Sequence, residues 1–194
     1  MIQFLRCVWR DIRTGVGRFR IRAHLVKNWP GATGHYLRRR VLLPYFGSHG
    51  ENVDINEGVQ FRNIHKMFVG NNVALGIDNF FQAGGGIEIG DNTILGPGVR
   101  VWSQNHVFAD ANKPIRDQGY EYKKVTIGRD VWIGANTFIM PGAEIGDGCI
   151  ISACSVVGAK KIPPYMILAG NPARAVGKRE RSEAEVSKPT PEES

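Results

Sequence analysis

The chain of 194 residues contains little cysteine and no long apolar run. Three cysteines are too few for a disulfide framework, which excludes the small folds that disulfides hold together. The longest aliphatic stretches, such as residues 41–43, fall far short of the ~20 residues that a membrane-spanning helix needs. Arg6 and Arg10 interrupt the apolar N-terminal run, so no secretory signal peptide is expected. We therefore expect a soluble, cytoplasmic protein.

Acidic residues are almost absent from the first part of the chain. Residues 1–50 hold ten Lys and Arg residues against a single acid, Asp11. Residues 51–194 hold fifteen basic and seventeen acidic residues, so the net charge of +7 originates in the N-terminal segment. No nucleic-acid-binding motif accompanies the basic residues, and no nucleic-acid partner is expected.

The basic segment carries helical patterns. Apolar residues recur at helical spacing between Leu5 and Ile12, and Gly15 and Gly17 are expected to end that helix. A second helix is predicted from about His35 to Leu43, before Pro44. These helices would either cap an exposed end of the following domain, or contact an anionic membrane surface or a phosphate-bearing acceptor.

Aliphatic and aromatic residues recur every six positions in the body of the chain. Four blocks carry this spacing: Ile55 and Phe61; Val69, Leu75 and Phe81; Ile89, Leu95 and Val101; and Ile127, Ile133, Ile139, Ile145, Ile151 and Val157. A period of six fits neither an α-helix nor a β-sandwich, but it is typical of a β-solenoid with short strands and corners. With three hexads in a triangular coil of about 18 residues, residues 51–173 form five to six coils, and the periodic side chains point inward at the corners.

One long interruption and one polar end lie outside this repeat. Residues 107–124 are polar and break the six-residue spacing, which predicts a loop projecting from one corner. Loops of this length are often functional, and His106 immediately precedes this one. Residues 174–194 are rich in charge and proline and are expected to form a disordered tail.

The segment VTIGRDVWIGANTFIMPGAEIGDGCIISACSVVGAKKIPPYMILAGNPAR, residues 125–174, resembles the hexapeptide-repeat acyltransferases, especially the O-acetyltransferases of polysaccharide sugars. The resemblance covers residues 53–178 and rests on VWIGAN, PGAEIG, IPP and AGNPAR. It implies an all-β solenoid, namely a left-handed parallel β-helix of about five to six coils after the N-terminal helical segment. It also implies a homotrimer with active sites between subunits.

The resemblance further implies that acetyl-CoA is the donor and a sugar hydroxyl the acceptor, in the biosynthesis of exopolysaccharide, capsule or O-antigen. In that family, the histidine before the protruding loop is the catalytic base, and His106 matches it. A neutral imidazole can remove the proton of a hydroxyl as it attacks a thioester. Asn105 beside it, and Asp78 or Asn79, match acceptor-contacting positions; otherwise Asn79 stacks inside a corner.

Coenzyme A would lie in a groove between two subunits. In the family, small residues meet the pantetheine arm, a tryptophan lines the groove near the thioester, and cations meet the phosphates. Ala135 and Ala153 match the residues that meet the pantetheine arm, and Trp132 matches the tryptophan of the groove. The matching cations for the phosphates are Lys160, Arg174 and Lys178. Cys154 stands where relatives have glycine, and it is interpreted, like Cys149, as a small core or corner residue.

Three alternatives remain open. N-acetylation of an amino sugar would use the same base and cofactor. A zinc-dependent carbonic anhydrase on this fold needs three histidines, whereas the repeats contain only His65 and His106, so no metal is expected. His65 is interpreted as a surface residue, with contact to the acceptor as the alternative. The third alternative is a non-catalytic β-solenoid that serves as a scaffold.

Overall fold

The computed structural model describes residues 2–180, so most of the predicted tail lies outside the described residues. Three helices open the chain: α1 (Ile2–Arg13), α2 (Gly15–Val26) and α3 (Gly31–Leu42), the last followed by a 3-10 turn at Leu43–Tyr45. The predicted second helix therefore begins earlier than His35. Pro30 precedes the first helical residue of α3 in extended conformation, which suits the start of a helix.

The prediction that glycines end the first helical region is wrong in part, because α2 begins at Gly15. Thr14 caps α2, since its hydroxyl accepts a hydrogen bond from the Gly17 N–H at 3.0 Å. A Cβ at Gly17 would lie 2.2 Å from the carbonyl oxygen of Asp11. Glycine at this position therefore permits the close approach of α1 and α2 and does not break a helix.

The rest of the described chain consists of short strands. In chain order they are β1 Ser48–His49, β2 Asp54–Ile55, β3 Gln60–Arg62, β4 Met67–Val69, β5 Ala74–Leu75, β6 Phe80–Gln82, β7 Ile87–Ile89, β8 Ile94–Leu95, β9 Arg100–Trp102, β10 Gln104–His106, β11 Tyr120–Tyr122, β12 Val125–Ile127, β13 Trp132–Ile133, β14 Phe138–Ile139, β15 Glu144–Ile145, β16 Ile150–Ile151, β17 Val156–Val157, β18 Lys161–Ile162, β19 Met166–Ala169 and β20 Arg174–Lys178.

These strands form three flat faces around one interior. Face 1 orders its strands β1-β4-β7-β12-β15-β18, face 2 orders them β2-β5-β8-β13-β16-β19-β20, and face 3 orders them β3-β6-β9-β14-β17. Every neighbouring pair within the faces is parallel except β19 and β20. The molecule is a left-handed parallel β-helix of about six turns with N-terminal helices, as the six-residue period and the family resemblance together implied.

Coil length changes along the axis. Trp132 pairs with Ile150, which gives the predicted 18 residues per coil. In the first coils the step is 20 residues, as between Asp54 and Ala74, because two extra residues enter the corner between faces 3 and 1. This is the physical origin of the eight-residue spacings that separate the first sequence blocks.

The interior is built from the periodic aliphatic residues. The six residues of the longest block are each no more than 2% exposed. They occupy the last position of each strand and not the corner itself, as Ile133 does in β13, which corrects the predicted placement. The corners instead hold residues with left-handed backbone, and Asn52, Asn72 and Asn92 form one such column. Their side chains hydrogen-bond from coil to coil at 3.1 and 3.0 Å, so the column ties successive coils together.

Two segments predicted to lack structure contain strands. In the predicted loop 107–124, β11 pairs antiparallel with β10, so the insertion is a hairpin. In the predicted tail, β20 pairs antiparallel with β19 and covers the last strand of face 2. In both cases the strand exists because it pairs with main-chain groups of a neighbouring strand that would otherwise be unsatisfied.

Candidate active site

His106 is the last residue of β10, where the hairpin leaves the corner between faces 3 and 1. Its side chain is exposed, and its ring lies 4.5 Å from the ring of Tyr120, its cross-strand partner. Within residues 2–180, no hydrogen bond or ion pair occupies the imidazole. The ring is therefore held by an aromatic neighbour while its nitrogens remain available to exchange a proton.

A cavity of about 370 Å³ lies beside the hairpin, between α2 and the corners of the first coils. Apolar side chains, including Phe19 and Phe61, form part of its wall. Its polar lining comes from α2, from the corners and from the hairpin: Arg20, Arg62, His65, Gln82, Gln104 and Tyr120. A mixed wall of rings, amides and cations is suited to a polar ligand such as a sugar.

His65, interpreted from sequence as a surface residue, is exposed and lines this cavity. Arg62 pairs with Gln82, and Gln82 pairs with Trp102, so residues 20 apart stack at this corner. His65 therefore shares the corner column from which the hairpin of His106 emerges. The eight-residue spacings in the sequence reveal the 20-residue coils, and from that step the position of His65 at this corner could have been predicted.

The residues predicted to contact the acceptor occupy three different environments. Asn105 is half-buried on β10 and, by strand alternation, points to the side opposite His106. Asp78 is exposed at the corner between faces 2 and 3, with a left-handed φ of 56°. Asn79 is completely buried, and its amide donates to the carbonyl of Gly96 at 2.8 Å. An acceptor cannot reach Asn79, which instead stacks inside the corner.

Three predicted coenzyme residues lie together. Ala135 and Ala153 occupy successive levels of the corner between faces 2 and 3, where the Cys154 N–H donates to the carbonyl of Ala135 at 2.8 Å. Trp132 precedes Ala135 on face 2 and is 55% exposed. Asp78 belongs to the same corner column, two coils earlier.

The three predicted phosphate-binding cations are not equivalent. Lys160 is half-buried and donates from Nζ to the carbonyl of Ala173 at 2.8 Å, which fastens the last corner of the solenoid. Arg174 is exposed beside that carbonyl, at the start of β20. Lys178 ends the same strand, about 13 Å further along at 3.3 Å per residue. Arg174 and the Lys160 ammonium are thus neighbours, whereas Lys178 lies apart.

The outer side of face 3 joins the two corners. Trp102 packs there between Phe80 and Phe138, with ring centroids 6.2 and 5.7 Å away. Across this face, His106 and the corner of Ala135 lie at opposite edges, because each strand of face 3 runs from one corner to the other. Within one chain, the histidine and the predicted coenzyme residues are therefore separated by the width of the face.

The two cysteines of the β-helix lie in different environments. Burial raises the pKa of Cys149, whose thiol donates to the carbonyl of Pro163 at 3.2 Å. Cys154 is exposed at a left-handed corner. Among residues 2–180, no three His, Cys, Asp or Glu side chains are grouped as a metal site would require.

Comparison with known proteins identifies the repeat. A family profile described as bacterial transferase hexapeptide (six repeats) matches residues 124–159. The galactoside O-acetyltransferase of Escherichia coli is 31% identical over 140 residues, which are 72% of this chain and 67% of that protein. Over the first curated relatives, the chain spans between 37% and 67% of their length.

Solved structures agree with this likeness. A maltose O-acetyltransferase from Clostridium difficile is 34% identical, covers 84% of this chain and 86% of its own, and superposes with a TM-score of 0.75. The N-acyltransferase AntD of Bacillus cereus, solved with an amino-sugar nucleotide and coenzyme A, is 24% identical, with a TM-score of 0.60 over 73% of this chain and 88% of its own. AntD supports the fold alone. The match to the two O-acetyltransferases over most of the β-helix shows that this chain belongs to the hexapeptide-repeat acetyltransferase family.

Proposed function

We propose that the protein transfers the acetyl group of acetyl-CoA to a hydroxyl of a sugar, in the biosynthesis of a surface polysaccharide. The observation that carries the proposal is the exposed, unpaired imidazole of His106 beside a polar cavity, on the fold of an acetyltransferase family. Tyr120 contacts the His106 ring and also lines the cavity, so it connects the imidazole to the proposed acceptor site.

The chemistry requires one base and no covalent enzyme intermediate. A neutral His106 nitrogen takes the proton of the acceptor hydroxyl while its oxygen bonds to the thioester carbon. The tetrahedral intermediate then collapses, the carbon–sulfur bond breaks, and the coenzyme A thiolate leaves with the proton from the imidazolium. The products are an acetyl ester and free coenzyme A, and neutral imidazole is restored.

The cavity beside the hairpin is the acceptor site in this proposal. Gln82, Gln104 and Tyr120 offer amide and phenol groups to sugar hydroxyls, and the cavity volume suits one or two sugar rings. Arg20 and Arg62 add positive charge that favours an anionic acceptor.

Coenzyme A binds, in this proposal, along the corner of Trp132, Ala135 and Ala153, with Arg174 near its phosphates. Because His106 and this corner lie at opposite edges of face 3, a second subunit must bring its corner to the histidine. A cyclic homotrimer satisfies this requirement with three equal sites, and Asp78 of the same corner would then face the acceptor.

To test the proposal, the protein is incubated with acetyl-CoA and a panel of galactosides, glucosides and amino sugars. The free thiol of the coenzyme A released is measured over time. We expect His106→Ala to lower kcat by about 10²- to 10⁴-fold, the usual contribution of a general base. His49→Asn is the matched control, because His49 is also exposed but bonds to the carbonyl of Gly50 at 2.9 Å, away from the cavity.

Product analysis, after acetyl-CoA has been removed, separates the rival acceptors, since an oxygen ester is cleaved by alkaline hydroxylamine and an amide is not. Calorimetry of acetyl-CoA binding, with Arg174→Ala for comparison, needs no acceptor. Full turnover by His106→Ala would refute the catalytic role. Absence of acetyl-CoA binding would refute the transferase and leave a scaffold.

A further inference from the structure

Helix α1 carries an apolar side that the described chain does not cover. Its five large apolar side chains are between 39% and 69% exposed: Phe4, Leu5, Val8, Trp9 and Ile12. At about 100° per residue these side chains fall within an arc of about 140°. Every described side chain of residues 3–13 is exposed, although the helix backbone approaches α2.

Such a helix needs a covering surface. An isolated helix of 12 residues is marginal in water, and its stability in proteins comes from packing an apolar side. Here α1 contacts α2 through its backbone, but its apolar side has no cover within residues 2–180, so packing of that side requires a surface outside the described residues.

The charge around this side indicates what covers it. Arg6, Arg10 and Arg13 follow the apolar arc on the helix surface, and the Arg13 guanidinium lies 3.9 Å from the centre of a Trp9 ring. Asp11 is the single acid among residues 1–50. A second copy of α1 on this side would bring six arginines together, whereas an anionic surface would neutralise them.

We propose that α1 is an interfacial helix that lies on an anionic lipid bilayer. Its apolar arc enters the boundary between headgroups and acyl chains, Trp9 sits at the headgroup level, and the arginines contact lipid phosphates. No helix within residues 2–180 combines the length and apolarity needed to cross a bilayer, so the contact is peripheral.

The next helix links this surface to the cavity. Val16 and Arg20 of α2 line the cavity beside the hairpin, one to two turns after α1 ends. Membrane contact would thus hold the cavity near the lipid surface. If the proposed function holds, this favours a lipid-linked glycan with a phosphate as the acceptor.

Sedimentation of the full chain with vesicles tests the proposal. Vesicles of phosphatidylglycerol and phosphatidylcholine in equal parts are compared with phosphatidylcholine alone, at low and high salt. We expect preference for the anionic vesicles, loss on adding salt, and at least tenfold weaker binding of Leu5→Glu/Trp9→Glu. Replacing Arg6, Arg10 and Arg13 with Gln should weaken binding about 100-fold, at roughly fivefold per cation.

Matched controls change the same chemistry elsewhere. Val176→Glu alters an exposed apolar residue of β20, at the opposite end of the solenoid. Lys113→Gln/Arg116→Gln/Arg129→Gln removes three exposed cations. Both should bind vesicles like the wild type.

Each outcome is decisive. Equal binding to both vesicle types, or binding unchanged by the α1 substitutions, overturns the proposal. A dimer in buffer that dissociates in Leu5→Glu/Trp9→Glu would also overturn the proposal, because a second copy of the chain would then be the covering surface. Turnover of a soluble acceptor is measured on the same variants and should not change, so failure here is distinct from failure of the proposed function.

Discussion

Backbone conformation at the corners selects the side chains found there. The corner between faces 2 and 3 repeats a left-handed residue at each level, including Asp78, Gly98, Asn136 and Cys154. Glycine adopts this conformation freely, and Asn and Asp tolerate it, whereas other L-residues lose roughly 1–2 kcal/mol. Cys154, with φ of 58°, is thus a strained member of its column.

Replacing this cysteine should stabilise the fold. We expect Cys154→Gly and Cys154→Asn each to raise the free energy of unfolding by about 1 kcal/mol, as the left-handed penalty is relieved. Urea denaturation measures the change. Ala159→Gly, at an exposed corner residue without positive φ, should instead lower stability. A loss of stability in Cys154→Asn would show that the thiol makes a contact worth more than the strain.

Single side chains also show how far sequence reasoning reached. His106 could be located because a family motif and a break in the repeat coincide at one position. For Asn79 the sequence left an acceptor contact and a place inside the corner both open, because burial depends on the direction of a side chain within a corner. Asn79 is buried, whereas Asp78 beside it is exposed. The ring contact between Tyr120 and His106 joins residues whose pairing depends on the hairpin register, which no local pattern encodes.

Among the elements, those with local periodicity were predictable. Three six-residue repeats make one coil, and each strand pairs with the equivalent strand of the next coil. The six-residue spacing of the inward aliphatic residues is therefore enough to assign the strands to the three faces. α2 was missed, because Gly17 is chosen for helix contact and not for helix propensity. β11 and β20 were missed as well, because each depends on a partner strand and not on its own pattern.

Helix α3 is joined to the first coil by a buried arginine. Arg38 is 1% exposed and donates to the carbonyls of Ile55 and Trp29 at 2.7 and 2.6 Å, with the Glu57 carboxylate 3.3 Å away. A hydrogen bond from a backbone N–H lowers the pKa of Glu57, and the positive charge of Arg38 lowers it further. The Arg38 side chain therefore closes the first open end of the solenoid with hydrogen bonds.

Removing the guanidinium should loosen this end. Arg38→Met keeps most of the volume but leaves the buried carbonyl of Ile55 and the partly buried carbonyl of Trp29 without this donor, and we expect a loss of about 3 kcal/mol in unfolding free energy. Arg40→Met, on the exposed side of the same helix, should change stability by about 0.5 kcal/mol or less. Chemical denaturation of both variants decides the matter, and equal effects would mean that the bonds of Arg38 contribute little.

For the whole molecule, the main exposed apolar surface of the solenoid is the outer side of face 2. Register aligns Ile94, Trp132, Ile150 and Ile167 in one row, and the first two are 52% and 55% exposed. A continuous apolar row along the solenoid favours contact with another subunit.

We expect light scattering to give three times the chain mass of 21.5 kDa. Ile94→Arg should convert the assembly to single chains and abolish acetyl-CoA binding, because one wall of the proposed groove is lost. Glu144→Arg alters an exposed position on face 1 and should leave the mass unchanged. A wild-type mass of one chain would contradict both the trimer and the shared groove.

The hairpin of His106 leaves the solenoid and returns to it without altering the strand order. Val125 pairs with Ile87 as the next level of face 1, and the Lys123 N–H closes the base by donating to the carbonyl of Ser103 at 3.0 Å. The hairpin is therefore structurally independent of the coils on either side of it. During evolution its length and residues can be exchanged while the coils above and below keep their register. Under the proposed function, descendants of one scaffold would thereby acquire new acceptors and inherit the same coenzyme A corner.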